Sequence, residues 1–477
     1  MESQIKKGTE VELDIENLAL GGRGVAKING FVVFVDGALP GQRVAARVFR
    51  KRKGYAEARA LTVLKKSPEE IDPRCRHFGE CGGCRFQNLD YKAQLEFKRQ
   101  QVIESLEHIG GFVTPDVAVT LPSPEPYYYR NKMEYSFGRK RWLSRNEIGN
   151  DTVVKPRDFA LGLHIRGRFD KILDLDECHL QSRESVDILN FVREFALDSG
   201  IAPYSTKDHS GYWRHLVIRE GKNTGERLVN LVTADTPEHE PVVLVLAKKL
   251  TQSFDHVTTV VHNVNRKKAQ VAIGDKEYIL IGPGKIRETI GQRIFQISAN
   301  SFFQTNTLGA EVLYNQVLAL GDFENDEIVF DLYCGAGTIS LYIADKVNKV
   351  VGFELLKSAV KDAERNRKLN NIDNCLFVAG DLKDLFGSQS ADSRRWGTPS
   401  TIIVDPPRAG MHENVVNAIL ELQPMKVVYV SCNPATFARD AKTLCEHHYD
   451  LRKVQPVDMF PMTTHIELVS LLTKGLD

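Results

Sequence analysis

From about Thr289 onward the chain repeats one pattern: a short apolar run, a turn, then an amphipathic stretch. The runs are Ile328-Val329-Phe330, Val350-Val351-Gly352-Phe353, Cys375-Leu376-Phe377-Val378, Thr401-Ile402-Ile403-Val404 and Val427-Val428-Tyr429-Val430. None alternates polar with apolar residues, as a strand with one wet face would. Both faces of each run must therefore be covered, which is the condition of a parallel sheet carrying helices on both sides. Residues 358–370 have the spacing of a helix between the second and third runs, and 468–472 supply a last strand. The pattern predicts an open, Rossmann-like α/β sheet.

Such sheets bind ligands beyond the carboxyl ends of their strands. Those ends here carry Asp331-Leu332-Tyr333-Cys334-Gly335-Ala336-Gly337, then Glu354, Asp381 and Asp405-Pro406-Pro407-Arg408. The glycine turn lacks the third glycine of the dinucleotide fingerprint. Glu354, closing the second strand, is placed to accept hydrogen bonds from ribose hydroxyls, and Asp381 to meet an adenine amino group. A ring of carboxylates also suits a cationic sulfonium, so the pattern favours S-adenosylmethionine over NAD.

The fifth strand runs into Ser431-Cys432-Asn433-Pro434, which puts a thiol at the same edge of the sheet. Carbon 5 of a pyrimidine is a poor nucleophile, and a thiolate adding at carbon 6 makes it reactive; this is covalent catalysis. The adduct then needs a base to remove the carbon 5 proton. Cys432 supplies the thiol. Glu467 in His465-Ile466-Glu467-Leu468-Val469 supplies the base if the last strand pairs beside the Cys432 strand. Thiol attack requires a cationic or dipolar neighbourhood, for which Arg408 is a candidate.

The first 66 residues hold 13 Lys or Arg against 7 Asp or Glu, although the whole chain carries only +1. They read as short strands around 8–15, 31–35, 44–48 and 58–64, with a turn at Gly21-Gly22-Arg23-Gly24. Arg50-Lys51-Arg52-Lys53-Gly54-Tyr55 lies between the last two. Several short strands with a basic tip suggest a small OB-like barrel that engages RNA phosphates. The middle region is mixed: helical spacing at Leu95, Val102, Ile103 and Leu106, and strands near 159–165 and 228–233. Arg139-Lys140-Arg141-Trp142 and Tyr212-Trp213-Arg214-His215 have compositions suited to stacking bases, and Arg130-Asn131-Lys132 is a further RNA candidate. No apolar run of membrane-spanning length and no signal peptide is apparent, so a cytoplasmic location is expected. Eight cysteines in such a chain argue against a disulfide framework, and three of them within 75–84 read as a metal or cluster site. Cys334, Cys375 and Cys445 read as small core or motif residues.

In order and spacing, 331–337, 405–410, 431–440 and 465–468 resemble the catalytic motifs of the RNA 5-methyluridine methyltransferases, specifically the branch acting on 23S rRNA. Residues 5–65 look like that branch's TRAM domain. The resemblance implies an α/β multidomain chain: an OB-like TRAM barrel over 1–66, a mixed central domain over 67–288, and a class I methyltransferase domain over 289–477. Residues 89–119 are expected to pack with the last of these. It implies Cys432 as nucleophile, Glu467 as base, and S-adenosylmethionine contacts from Gln304, Tyr333, Glu354, Asp405 and Asp381. Cys75, Cys81, Cys84 and Cys178 are similar to the branch's [4Fe-4S] ligands, although spacing alone leaves a closed zinc site open. The expected partner is RNA, most directly 23S rRNA, with a monomeric chain and no protein partner. A tRNA uracil-5-methyltransferase with the same chemistry is the nearest alternative, and a non-catalytic iron–sulfur RNA-binding protein the alternative of another class. A cytosine-5 enzyme is disfavoured because 405–408 contain no cysteine.

Overall fold

The computed structural model describes residues 5–144, 147–148, 155–168, 170–386 and 396–475. Within them the chain forms three large sheets and one hairpin. The N-terminal sheet has six strands in the order Glu10–Asp14, Arg43–Lys51, Tyr55–Lys65, Phe31–Asp36, Arg23–Ile28, Asn17–Ala19. Its inward residues, among them Leu13, Ala26, Val33, Val35, Val44, Ala46 and Ala58, close a separate small core. Two of the strands, Asn17–Ala19 and Arg23–Ile28, flank the predicted glycine turn. Gly21 and Gly22 make that turn at positive φ, while Gly24 is already in the strand.

The central sheet has seven strands: Lys276–Ile281, Val257–Val264, Arg227–Thr233, Trp213–Glu220, Lys132–Gly138, Ala160–His164 and Ile172–Asp174. Helices Arg183–Asp198 and Glu240–Ser253 cover one face through Ile188, Leu189, Val192, Val243, Leu246 and Leu250. The hairpin Lys285–Ile290/Arg293–Ser298 follows, so the sequence boundary at 288 falls inside a strand. Ile286, Phe295 and Ile297 join the same apolar cluster as Leu313 and Val317 of helix Thr307–Gly321.

The C-terminal sheet runs Cys375–Ala379, Lys349–Glu354, Ile328–Leu332, Thr401–Val404, Lys426–Ser431, Glu467–Lys474, Tyr449–Val457. The first five strands are parallel, and Glu467–Lys474 is antiparallel to both of its neighbours, Lys426–Ser431 and Tyr449–Val457. Apolar residues pack on both faces, as the uninterrupted apolar runs require. The chain order reverses between the adjacent strands Ile328–Leu332 and Thr401–Val404, which opens a crevice at their carboxyl ends. Strand Tyr449–Val457, with Asp450, Arg452 and Lys453 among its residues, gave no apolar run to read; it is the sheet's outer edge.

Helix Tyr91–Ser105 continues as a wider turn, Leu106–Gly110, and does not stay with the central sheet. Val102 and Leu106 share an apolar cluster with Phe437 and Ala438 of helix Pro434–Cys445. Val117 and Leu121 bridge to Val454 and Val457. Among the described residues no helix is long and apolar enough to cross a membrane.

Candidate active site

Strand Ile328–Leu332 delivers Asp331 fully buried beneath the glycine turn, where its Oδ2 accepts from Ser340 Oγ at 2.5 Å. Its Oδ1 is buried with no hydrogen-bond partner. Burial, with the field of Glu354, pushes this carboxyl up to about 7. Tyr333 follows at φ +67°, a left-handed conformation that costs a β-carbon residue energy. Gly337 has φ +77°, and a β-carbon there would lie 2.6 Å from the Phe377 ring, so the turn needs glycine twice over. Glu354 Oε2 accepts from Gly335 N at 3.1 Å and Oε1 from Leu356 N at 2.8 Å. The carboxylate thus orients the turn as well as facing the crevice. Asp381 Oδ1 caps the short helix Leu382–Leu385 through Lys383 N at 3.0 Å. Asp405, across the switch point, is pushed up to about 7 by burial and by Asp331. Two carboxyls without cationic partners in one crevice fit a cationic, hydroxyl-bearing ligand.

Gln304 lies in the segment before helix Thr307–Gly321, and that segment is held from the central domain. Asn131 Nδ2 donates to Gln304 O at 2.8 Å and to Thr307 Oγ1 at 2.9 Å, and Asn131 N donates to Thr305 O at 2.8 Å. Asn131, read as an RNA candidate, is buried and does this structural work instead.

The condition set for Glu467 is met. Strands Lys426–Ser431 and Glu467–Lys474 pair antiparallel with Ser431 opposite Leu468, so Cys432 and Glu467 lie one step beyond the last rung at the same edge. Burial first, then the charges of Glu467 and Asp405, push the Cys432 thiol up to about 11, against a smaller opposing effect of Arg408. Glu467 itself is held well above the carboxylate range by burial and Asp405. Asn433 ties the thiol's surroundings together. Its Oδ1 accepts from Ala435 N at 3.1 Å, capping helix Pro434–Cys445, while its Nδ2 donates to Arg408 O at 2.9 Å. Arg408 Nη2 donates to His465 Nδ1 at 3.1 Å. Burial and nearby Arg408, Arg130 and Lys98 lower His465 to about 4, so the ring is neutral and its remaining proton sits on Nε2. Sequence reading missed His465 as a partner of Arg408; its place two residues before Glu467 was the available signal.

Two basic–aromatic stretches do not serve as expected. Arg214 is buried and donates to the carbonyls of Asn265, Lys267 and Ala269, and Tyr212, Trp213 and His215 are buried with it. Arg141 is buried against Glu147 at 2.7 Å, and Arg139 Nε donates to Pro203 O at 2.7 Å. These cations satisfy loop carbonyls and a carboxylate, so they offer no free charge to phosphate. The tip at Arg50, Arg52 and Lys53 is exposed, as expected.

Cys75, Cys81, Cys84 and Cys178 converge on one small cavity, also lined by Leu163 and Leu175. Gly83 N, Gln87 Nε2 and Leu180 N point at the sulfurs of Cys81, Cys84 and Cys178, at 3.4, 3.2 and 3.5 Å. Among the described residues, however, no group of three or more Cys, His, Asp or Glu is arranged to hold a metal ion. The expected metal centre is therefore not shown: the structure gathers the thiols around an apolar cavity without closing them on one point.

A doubly wound sheet with a carboxylate-lined crevice at its switch point, beside an apposed thiol and carboxyl, defines a nucleoside-cofactor-dependent transferase. Residues 241–475 match the model of tRNA (Uracil-5-)-methyltransferase, and residues 4–61 that of the TRAM domain. Proteins of Chlorobaculum tepidum and Halalkalibacterium halodurans, both described as uncharacterized RNA methyltransferases, are 43% and 40% identical, each over 99% of this chain and 98% of their own. The crystal structure of Pyrococcus abyssi tRNA (uracil-54, C5)-methyltransferase in complex with S-adenosyl-L-homocysteine superposes with a TM-score of 0.75 at 31% identity, over 97% of this chain and 100% of that one. The chain belongs to the RNA (uracil-5-)-methyltransferase family: it is an S-adenosylmethionine-dependent enzyme with an N-terminal TRAM domain.

Proposed function

We propose that this enzyme methylates carbon 5 of a uridine in folded RNA through a covalent bond from Cys432 to carbon 6. The observation that carries the reading is the placement of Cys432 and Glu467 at one end of adjacent strands, beside the acidic crevice. Cys432 Sγ adds to carbon 6, and the opened carbon 5–carbon 6 bond becomes an enolate. S-adenosylmethionine, when bound by Gln304, Tyr333, Glu354, Asp405 and Asp381, supplies the methyl group for carbon 5. Glu467 takes the carbon 5 proton, the double bond re-forms, and the carbon 6–sulfur bond breaks to return the thiolate. Burial and Asp405 raise Glu467, which makes it a stronger base once it is deprotonated. The thiol starts protonated, so its proton passes to solvent before the thiolate adds to carbon 6.

Two observations bear on the RNA. The four-cysteine chamber supports a 23S rRNA uridine, as in the branch the sequence resembles. The likeness to the Pyrococcus abyssi tRNA enzyme over 97% of this chain supports a tRNA uridine, and it removes the N-terminal sheet as a discriminating feature. The chamber's four thiols and N–H···S contacts are a donor set for a [4Fe-4S] cluster in which each sulfur meets a different iron. Cys75, Cys81, Cys84 and Cys178 would hold the cluster in a structural role, within a domain division of 1–66, 67–288 and 289–477. Iron and acid-labile sulfide in anaerobically purified protein test it; zinc or no metal rejects it.

The test of function is covalent trapping. Enzyme, S-adenosylmethionine and mixed rRNA and tRNA containing 5-fluorouridine are incubated, and RNA bound to denatured protein is sequenced. Fluorine cannot leave as a proton, so a single adduct absent from Cys432→Ala is expected. A tRNA adduct assigns the second substrate, and no adduct with folded RNA rejects the mechanism in favour of a binding role.

A further inference from the structure

Residues 458–466 connect the two antiparallel strands of the C-terminal sheet and lead directly into Glu467. Val457 and Glu467 face each other as the last rung of that ladder, so Asp458 is the residue at which the chain leaves the side of Glu467. Asp458 is fully buried, and its Oδ1 meets Lys98 Nζ at 2.6 Å; the Lys98 side chain is 1% exposed. Lys98 belongs to helix Tyr91–Ser105, far away in sequence. Its ammonium also donates to Phe460 O at 3.1 Å, and Asp458 Oδ1 accepts from Phe460 N at 3.1 Å. Phe460 in turn packs its ring edge-on to His465, centroids 5.8 Å apart, and His465 accepts from Arg408.

A buried ion pair is poor evidence for stability, because desolvation cancels much of its attraction and a packed apolar pair often does as well. What this pair does, and an apolar pair does not, is fix a direction. It ties the start of the connection at Asp458 and Phe460, next to the Val457–Glu467 rung, and Phe460 carries the ring that packs on His465. We infer that Lys98, through Asp458, is a positioning residue for Glu467, setting the geometry of the step in which the base takes the carbon 5 proton. The inference rests on the proposed Cys432–Glu467 reaction.

If the pair positions the base, its loss slows proton removal and elimination while leaving thiol addition and methyl transfer largely intact. Lys98→Met should then accumulate a denaturation-resistant, methylated protein–RNA adduct on ordinary uridine RNA, with turnover down about 100-fold. Single-turnover formation of the adduct should stay near the wild-type rate. Since Lys98→Met leaves a buried unpaired carboxylate, the double variant Lys98→Met/Asp458→Asn, which removes both charges, is measured beside it. The double variant is expected to keep the wild-type unfolding midpoint and still accumulate adduct. Wild-type turnover in the double variant, or adduct formation and turnover falling together in it, overturns the inference and leaves the pair a packing element. Wild-type enzyme on 5-fluorouridine RNA separates the two levels: no adduct there rejects the Cys432 reaction itself, whatever Lys98 does.

Discussion

At the scale of single residues, the site is set up by charges that lack partners. The Cys432 thiol, at about 11, is protonated near neutrality, and the thiolate fraction rises tenfold per pH unit below that value. The rate of adduct formation measured in single turnovers should therefore climb steadily from pH 6 to pH 9, without a plateau near 7. Asp331 and Asp405 give a second pH signature. Both sit at about 7 against an ordinary value of 3.8, so between those values the folded protein holds protons that the unfolded chain releases. Their contribution to stability is complete below 3.8 and is lost as pH rises through 7. Ligand-free protein should accordingly unfold at lower temperature at pH 8 than at pH 5.5. The stabilisation by S-adenosylmethionine, whose positive charge answers those carboxylates, should be larger at pH 8; thermal unfolding with and without cofactor reads both. Asn433 is a third case, joining a helix cap to the Arg408 carbonyl. Asn433→Ala should cost about 1 kcal/mol of stability from the cap alone, measured by urea unfolding. Cys432→Ala should leave that midpoint nearly unchanged.

At the scale of elements, helix Tyr91–Ser105 is the instructive one. Its apolar spacing marked a helix correctly, but the face it buries carries Gln94, Lys98, Gln101 and Ser105 beside Ala93 and Val102. The reason is its partner. It packs against a connection whose backbone groups need hydrogen bonds: Gln94 Oε1 accepts from Met462 N at 3.0 Å, while its Nε2 donates to Phe86 O and Leu89 O at 2.9 and 2.8 Å. The apolar spacing therefore marks the helix but not its buried face, since Leu95 and Ile103 are only half-buried while Gln94, Lys98 and Gln101 are buried. Gln94→Leu should therefore destabilise despite added apolar surface, by about 1–3 kcal/mol, because buried backbone groups lose their partner. Denaturant unfolding with unchanged slope is the check. The strand Tyr449–Val457 escaped sequence reading for a related reason: its first half carries the exposed charges Asp450, Arg452 and Lys453, while only Val454–Val457, covered by residues 116–121, is buried.

At the scale of the whole molecule, the exposed basic tip and the proposed catalytic pair lie in separate sheets. The exposed Arg50, Arg52 and Lys53 lie on the N-terminal sheet, while Cys432 and Glu467 lie on the C-terminal one. Replacing those three cations by Gln should weaken RNA binding about tenfold and flatten its dependence on salt by about two to three counterions, as phosphate contacts do. Turnover at saturating RNA should hold. Binding isotherms at several salt concentrations and a saturating rate make the comparison.

The sequence by itself determined the parallel strands of the C-terminal sheet and their order along the chain. Apolar runs such as 401–404 and 427–430 have nowhere to go but a doubly covered sheet, and the carboxylates and thiol at their ends follow from strand polarity. It determined that Cys432 and Glu467 would meet if two strands paired, since in a ladder register alone decides which residues share an edge. Only the tertiary structure decided that they do pair. It alone decided that Arg141 and Arg214 turn inward to satisfy carbonyls and a carboxylate, and that Asn131 and Lys98 reach across the chain to hold the segment at Gln304 and the connection that precedes Glu467. Local patterning records what a residue needs from water, whereas a buried polar group is defined by the partner it finds, and that partner lies at any distance along the chain.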